Sequence, residues 1–326
     1  MSNRLFAPAI AGLAVLLLAG CSSGTDPATA QPGEDGSNHS TGWRLSAKGG
    51  LNSFFDCLQD ADIGLISAHR GGPAPGLPEN AIETFKATLA RSPALIELDV
   101  ATSSDGVLYL MHDDTLDRTT SGSGRADAAK WDHIKGLYLI DNDGQLTDAH
   151  PPRFSDALAY LKDRTITQVD FKRSTRFSDA IREIRRQRAM DRVILIAYSL
   201  AQARKLHSLA PDAMISLGIT NVDDVSKASA SGIPTNRLLA FTGTREPNPR
   251  LYAFLQSRHI EVIFGTLGGS SSIDRQIARS GGDDTYAELT ASGVDVIATD
   301  RPHAAYKAQS SAGVAVTHGA CGVART

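Results

Sequence analysis

Eight short runs rich in Val, Ile and Leu recur along this chain with helical stretches between them, and that alternation restricts the fold more than any other feature. The runs cover residues 63–69, 95–100, 166–172, 193–198, 214–219, 238–241, 262–265 and 294–299. Strands alternating with helices belong to parallel α/β architectures, because each parallel strand needs a crossover to bring the chain back to the sheet. Eight repeats predict an α/β fold of the closed (β/α)8 TIM barrel type. An open doubly wound sheet is the alternative, but no Gly-x-Gly-x-x-Gly turn follows the first run. A ninth run at 107–111 is placed in a hairpin or small insertion after the second barrel strand. That insertion is expected over about residues 107–160, with 121–152 as a lobe above the mouth. Between the runs, Ile82, Phe85 and Leu89 share a helical face after Asn80. Pro249 follows Asn248 ahead of Leu251, Phe254 and Leu255, as in a capped helix with proline in its first turn.

Ahead of the barrel the character changes. Residues 6–18 are apolar and follow Arg4, but the run is shorter than the roughly 20 residues of a spanning helix and ends in small residues, so 1–20 reads as a secretory signal. The ending Leu18-Ala19-Gly20-Cys21 resembles a bacterial lipoprotein signal. That resemblance implies lipid on the Cys21 sulfur and an exported protein held on the periplasmic or extracellular side of a membrane without spanning it. Residues 21–43 are rich in Ser, Gly, Pro, Thr and Asp, the composition of a flexible tether. The barrel is expected over 44–310 and a C-terminal tail over 311–326. A net charge of −3 and a pI near 6.3 supply no basic field, which argues against nucleic acid as a partner. No obligate protein partner is marked in the sequence. Cys57 precedes the first barrel strand and Cys321 follows the last helix. Barrel closure would bring them together in a compartment that permits disulfides, so a Cys57–Cys321 bond is expected, with two free thiols as the alternative.

TIM barrels carry their chemistry at the C-terminal strand ends, and alternate residues of a strand share a face. His69 ends an inward row with Leu65 and Ser67; Glu97 and Asp99 hold the upper inward positions of the second strand; Ile166, Gln168, Asp170 and Lys172 form the row of the third. Unpaired charges inside a barrel would cost several kcal/mol each, so three strand ends delivering charge to one rim point to function. Two carboxylates side by side make a hard-cation site suited to Mg²⁺ or Ca²⁺. His69 and His112 bring groups with an ordinary pKa of about 6.5, fit for proton transfer near neutrality. His133, His207 and His259 lie in loop or helix contexts and are read as structural.

The pieces His69-Arg70-Gly71, Pro78-Glu79-Asn80, Glu97-Leu98-Asp99-Val100, Asp105-Gly106, His112-Asp113 and Leu116-Asp117-Arg118-Thr119-Thr120 stand in that order, with GVDVIATDRP at 293–302. Together they resemble the glycerophosphodiester phosphodiesterase family over roughly residues 63–308. The resemblance implies metal-dependent hydrolysis of a glycerophosphodiester to an alcohol and glycerol 3-phosphate. It implies one divalent cation on Glu97, Asp99 and the third-strand acid, His69 and His112 as general acid and base, and Arg70 with Lys172 beside the phosphate. Glu79 and Asn80 are expected to shape the metal site or to cap the following helix, and Asp300 with Arg301 to form a structural pair.

Two departures qualify the resemblance. The third-strand acid is usually Glu in the family and is Asp170 here, which could shift the ion or admit a water. The family's tryptophan near the end of the seventh strand is missing from VIFGTLGG at 262–269, and Trp43 and Trp131 lie elsewhere, so the alcohol group is left open. Two other readings stand beside the first: a lysolipid or sphingolipid phosphodiesterase of phospholipase D-like type, and a non-catalytic binding lipoprotein. Possession of both histidines and all three acids argues against the latter.

Overall fold

The computed structural model describes residues 42–326; the expected signal, Cys21 and the tether up to residue 41 lie outside them. The chain begins with β1 (Trp43–Leu45), α1 (Leu51–Asp60), β2 (Leu65–Ala68), α2 (Ile82–Arg91) and β3 (Ala94–Thr102). An excursion follows through β4 (Leu108–Leu110) and α3 (Trp131–Ile134) before α4 (Phe154–Leu161) and β5 (Thr167–Phe171) resume the repeat. Then come α5 (Phe177–Arg186), β6 (Val193–Ala197), α6 (Leu200–Leu209), β7 (Met214–Gly218), α7 (Val222–Ala230), β8 (Leu238–Phe241), α8 (Pro249–Gln256) and β9 (Glu261–Gly265). The last turn of the barrel is α9 (Ile273–Ser280), α10 (Asp284–Ala291), β10 (Val296–Thr299) and α11 (Pro302–Ser311), and the chain closes with β11 (Val323–Arg325).

Strands β2, β3, β5, β6, β7, β8, β9 and β10 pair in parallel, and β2 bonds both β10 and β3, which closes an eight-stranded (β/α)8 barrel. Alternation divides the buried residues in two. Ile66, Leu98, Val169 and Leu195 point outward into the layer beneath the helices, packed on Phe85, Phe154 and Ile184. Leu65, Leu95, Ile166, Ile194, Met214, Leu239 and Ile263 point inward and fill the lower half of the barrel. The floor under them is α1 with Phe54, Phe55 and Leu58, together with Trp43, Leu45 and Val323 from the antiparallel β1–β11 ribbon.

Three boundaries differ from the expectation. Trp43 belongs to β1 and is buried, so the tether ends one residue earlier. Residues 311–326 are not a loose tail: Gly64 and Val314–Val316 exchange backbone hydrogen bonds, β11 pairs with β1, and apolar Val316 and Val323 drive this by filling the floor. Cys57 on α1 and Cys321 beside β11 form a disulfide across that floor. The insertion ends near Arg153 rather than 160, because Phe154, Ala157, Leu158 and Leu161 pack into the outer barrel layer as its second helix. The insertion itself runs β4 antiparallel to the upper half of β3 and has its own small core of Tyr109, Met111, Leu116, Trp131 and Ile134.

One buried acid sits low in the barrel wall. Glu261 shares the inward face of β9 with Ile263, is fully buried, and has no hydrogen-bond partner on either carboxylate oxygen among the described residues. Burial pushes its carboxyl up to about 9.

Candidate active site

The register of β3 against β5 sets Asp99 opposite Asp170 and Glu97 opposite Gln168. All three acids are buried on the inner face at the upper rim, and one oxygen from each lies within 4.8 Å of the others. Burial first, and then the charge of Asp99, push Glu97 up to about 8. Burial works against ionised Asp99 as well, but the charges of Lys172, His112 and Arg70 with a hydrogen bond from Asn80 outweigh it and hold its carboxyl low. Lys172 Nζ donates to Asp99 Oδ1 at 2.9 Å and to Asp170 Oδ2 at 3.0 Å. The Tyr198 hydroxyl also donates to Asp170 Oδ2, at 2.9 Å, while Asp170 Oδ1 is buried with no partner among the described residues. A trio of buried carboxylates, one forced towards its neutral form and one with a vacant oxygen, fits a hard divalent cation. A second group of Glu79, His112 and Asp113 is as compact, but guanidinium groups already occupy its carboxylates.

The two histidines line a mouth cavity of about 370 Å³ together with these acids, and Ile196, Phe241, Ile263 and Leu267 add an apolar part to its lining. His69 Nδ1 is 2.7 Å from Asp300 Oδ1 and His112 Nδ1 is 2.7 Å from Asp113 Oδ1. Burial tends to lower the His69 pKa, and the hydrogen bond to Asp300 with the charge of Glu97 more than reverses it, leaving it raised. Asp300 is fixed in turn by the backbone N–H of Gly268 at 3.2 Å. Arg118 grips Asp113 through Nε at 2.6 Å and Nη2 at 2.8 Å, and the same guanidinium grips Glu79 at 2.8 and 2.9 Å. Glu79 also accepts from Arg70 Nη1 at 3.0 Å, so one chain of ion pairs runs from His112 to Arg70.

The turn after β2 is built for the acids. Arg70 takes a left-handed conformation at φ 50°, which aims its backbone N–H at Glu97 Oε2, 2.7 Å away. At Gly71 a Cβ would collide with the Phe85 ring, so only glycine lets α2 pack this closely. Asn80, also left-handed at φ 58°, clamps Asp99: its Nδ2 donates to Oδ2 at 2.7 Å and its Oδ1 accepts the Asp99 N–H at 2.9 Å.

The structure thus gathers His69, His112, Glu97, Asp99 and Asp170 around one cavity. The two cations expected beside the phosphate do not line that cavity themselves: the Lys172 ammonium is drawn to its two nearest carboxylates, and Arg70 lines the neighbouring cavity that it shares with His69. Asn80 is not a helix cap, since α2 starts after Ala81 without a side-chain cap. Asp300 does not pair with Arg301; it holds His69, and Arg301 turns to Asp283 and Tyr286. Asp300, Tyr198 and the double grip of Arg118 escaped the sequence reading, although Asp300 and Arg118 lie within the quoted motifs.

Comparison with known proteins places this arrangement. A family model described as the glycerophosphoryl diester phosphodiesterase family matches residues 69–304. A probable glycerophosphodiester phosphodiesterase of Mycobacterium tuberculosis is 27% identical over 61% of this chain and 67% of its own length. A glycerophosphodiester phosphodiesterase of Caldanaerobacter subterraneus is 29% identical over 47% of this chain, which spans 65% of that relative. The crystal structure of a glycerophosphoryl diester phosphodiesterase from Parabacteroides distasonis superposes with a TM-score of 0.78 at 26% identity, covering 88% of this chain and 99% of that one. An Oleispira antarctica phosphodiesterase solved with its product sn-glycerol-3-phosphate shares the fold at a TM-score of 0.58 and 16% identity, over 78% of this chain and 99% of that one. With the motifs, the closed barrel and the paired histidines all in place, the chain belongs to the glycerophosphoryl diester phosphodiesterase family and with it to the phosphoric diester hydrolases.

Proposed function

We propose that this chain hydrolyses glycerophosphodiesters to glycerol 3-phosphate and an alcohol with one divalent cation, Mg²⁺ or Ca²⁺, and with His69 and His112 moving the protons. The observation that carries the reading is two histidines, each with Nδ1 tied to a carboxylate at 2.7 Å, lining the same cavity as three buried acids. Glu97, Asp99 and Asp170 would hold the cation, which when bound supplies positive charge against the non-bridging oxygens of the diester. With Nδ1 engaged, Nε2 is the nitrogen each ring has left for proton exchange. One histidine takes the proton of the attacking oxygen, which belongs to water or to the substrate's own glycerol hydroxyl, and the other protonates the departing alkoxide. Lys172 bridges Asp99 and Asp170, and Arg70, anchored on Glu79, brings the remaining cationic charge to the His69 side of the phosphate.

The product bound by the Oleispira relative is the one this reaction would release. The test is release of glycerol 3-phosphate from glycerophosphodiesters by the full chain with Mg²⁺, with Ca²⁺ and with a chelator; no release under any of these refutes the reading. The apolar wall of Phe241, Ile263 and Leu267 supports a second substrate, an intact lysolipid, which the same assay run on lysolipids distinguishes. Export and lipid attachment at Cys21 complete the proposal, and labelling with a radioactive fatty acid that survives Cys21→Ala would remove that part.

A further inference from the structure

The wall that carries His69 has two faces. On one side lies the mouth cavity of about 370 Å³, and on the other a larger one of about 700 Å³ bounded by Asp300, Gly268, Gly269, Arg275 and the insertion turn at 142–144. A diester has two arms, and a phosphate within reach of both histidines must send them in different directions. We propose that the larger cavity receives the alcohol arm and is shaped for a polyhydroxylated alcohol, a polyol or a sugar, rather than for a quaternary ammonium group. This rests on the diesterase reading above and adds its substrate class.

Size is the first argument. A cavity of about 700 Å³ lies in the range that houses drug-sized ligands, far more than a two-carbon amino alcohol would fill. The rim after β9 leaves it open: Gly268 is left-handed at φ 129°, and a Cβ built on Gly269 would meet nothing within 4 Å. Chemistry is the second argument. No Phe, Tyr or Trp lines the cavity, so no aromatic face is offered to a quaternary ammonium. Its uncommitted groups are polar instead. Arg275 is exposed and makes no side-chain ion pair or hydrogen bond among the described residues, its one bond there being the backbone N–H to Ser272. Asn142 and Asp143 on the facing turn are exposed and likewise bring side chains with no internal partner among the described residues. Neighbouring hydroxyls each donate and accept, so guanidinium donors on one wall and amide or carboxylate acceptors on the other match a polyol arm.

The test is kcat/KM of the full chain on glycerophosphoinositol, glycerophosphocholine and glycerophosphoethanolamine. The inositol diester is expected to lead the choline diester by about tenfold or more, the scale of one hydrogen bond to a charged group. Gly269→Trp, which fills the cavity, and Arg275→Ala, which empties one wall, should each lower the inositol-to-ethanolamine ratio by about tenfold at an unchanged melting temperature. Choline turned over as well as inositol, or a ratio untouched by both folded variants, overturns the assignment. No release from any of the three diesters refutes the diesterase reading instead, and the polyol assignment falls with it.

Discussion

Replacing Glu261 by Gln should stabilise the fold, and the gain should depend on pH in a way the structure dictates. The Glu261 carboxyl is raised by burial from an ordinary 4.5 to about 9, with no partner for either oxygen among the described residues. Because the folded value lies above the unfolded one, this group's contribution to stability is whole below about 4.5 and is lost steadily as pH rises towards 9. Each pH unit in that window costs about 1.4 kcal/mol, so the native enzyme at pH 7 gives up about 3 kcal/mol to keep a proton on Glu261, and at pH 5 under about 1 kcal/mol. Glutamine has the shape of the protonated acid at every pH and avoids the loss. At about 2–4 °C of Tm per kcal/mol for a domain of this size, Glu261→Gln should melt roughly 6 °C or more above the native protein at pH 7 and within about 3 °C of it at pH 5. Paired calorimetric scans at the two pH values decide it. An equal shift at both, or a lower Tm at pH 7, would refute the account of this buried acid.

The remaining predictions bear on the site and the floor. His69→Ala and His112→Ala should each reduce kcat by roughly 10²- to 10⁴-fold with circular dichroism unchanged, and near-native turnover in either removes that histidine from proton transfer. Asp300→Asn takes away the strongest influence that raises the His69 pKa, so the pH–rate limb belonging to His69 should move to lower pH; a limb that stays in place would show that Asp300 does not position it. Cys57→Ser opens a covalent loop of 264 residues and should lower stability by roughly 3–5 kcal/mol, read as an earlier urea midpoint, with little change in kcat because the bond lies across the floor from the mouth.

The eight barrel strands were legible because buried parallel strands announce themselves as apolar runs, and the acids because Glu97, Asp99 and Asp170 interrupt such runs at inward positions. What stayed hidden depends on closure. Asp300 and His69 are 231 residues apart and meet only because β10 pairs with β2, so the sequence offers no local sign of the bond and suggested the adjacent Arg301 instead. Lys172 was read from its inward alternation, but an ammonium between two carboxylates goes to them and not to the open cavity. Glu261 was missed because a lone charge at the start of a strand looks like an exposed end; the floor laid by α1 and the β1–β11 ribbon is what buries it.

The same ribbon ties the two ends of the described chain to one face of the barrel. Gly42 and Thr326 exchange backbone hydrogen bonds at 3.0 Å, so both ends of the described chain are stitched together beneath the barrel, on the face away from the histidines. A chain that enters the described fold at Gly42 and leaves it at Thr326 does both at the floor, so neither end has to cross the mouth where the histidines and acids gather.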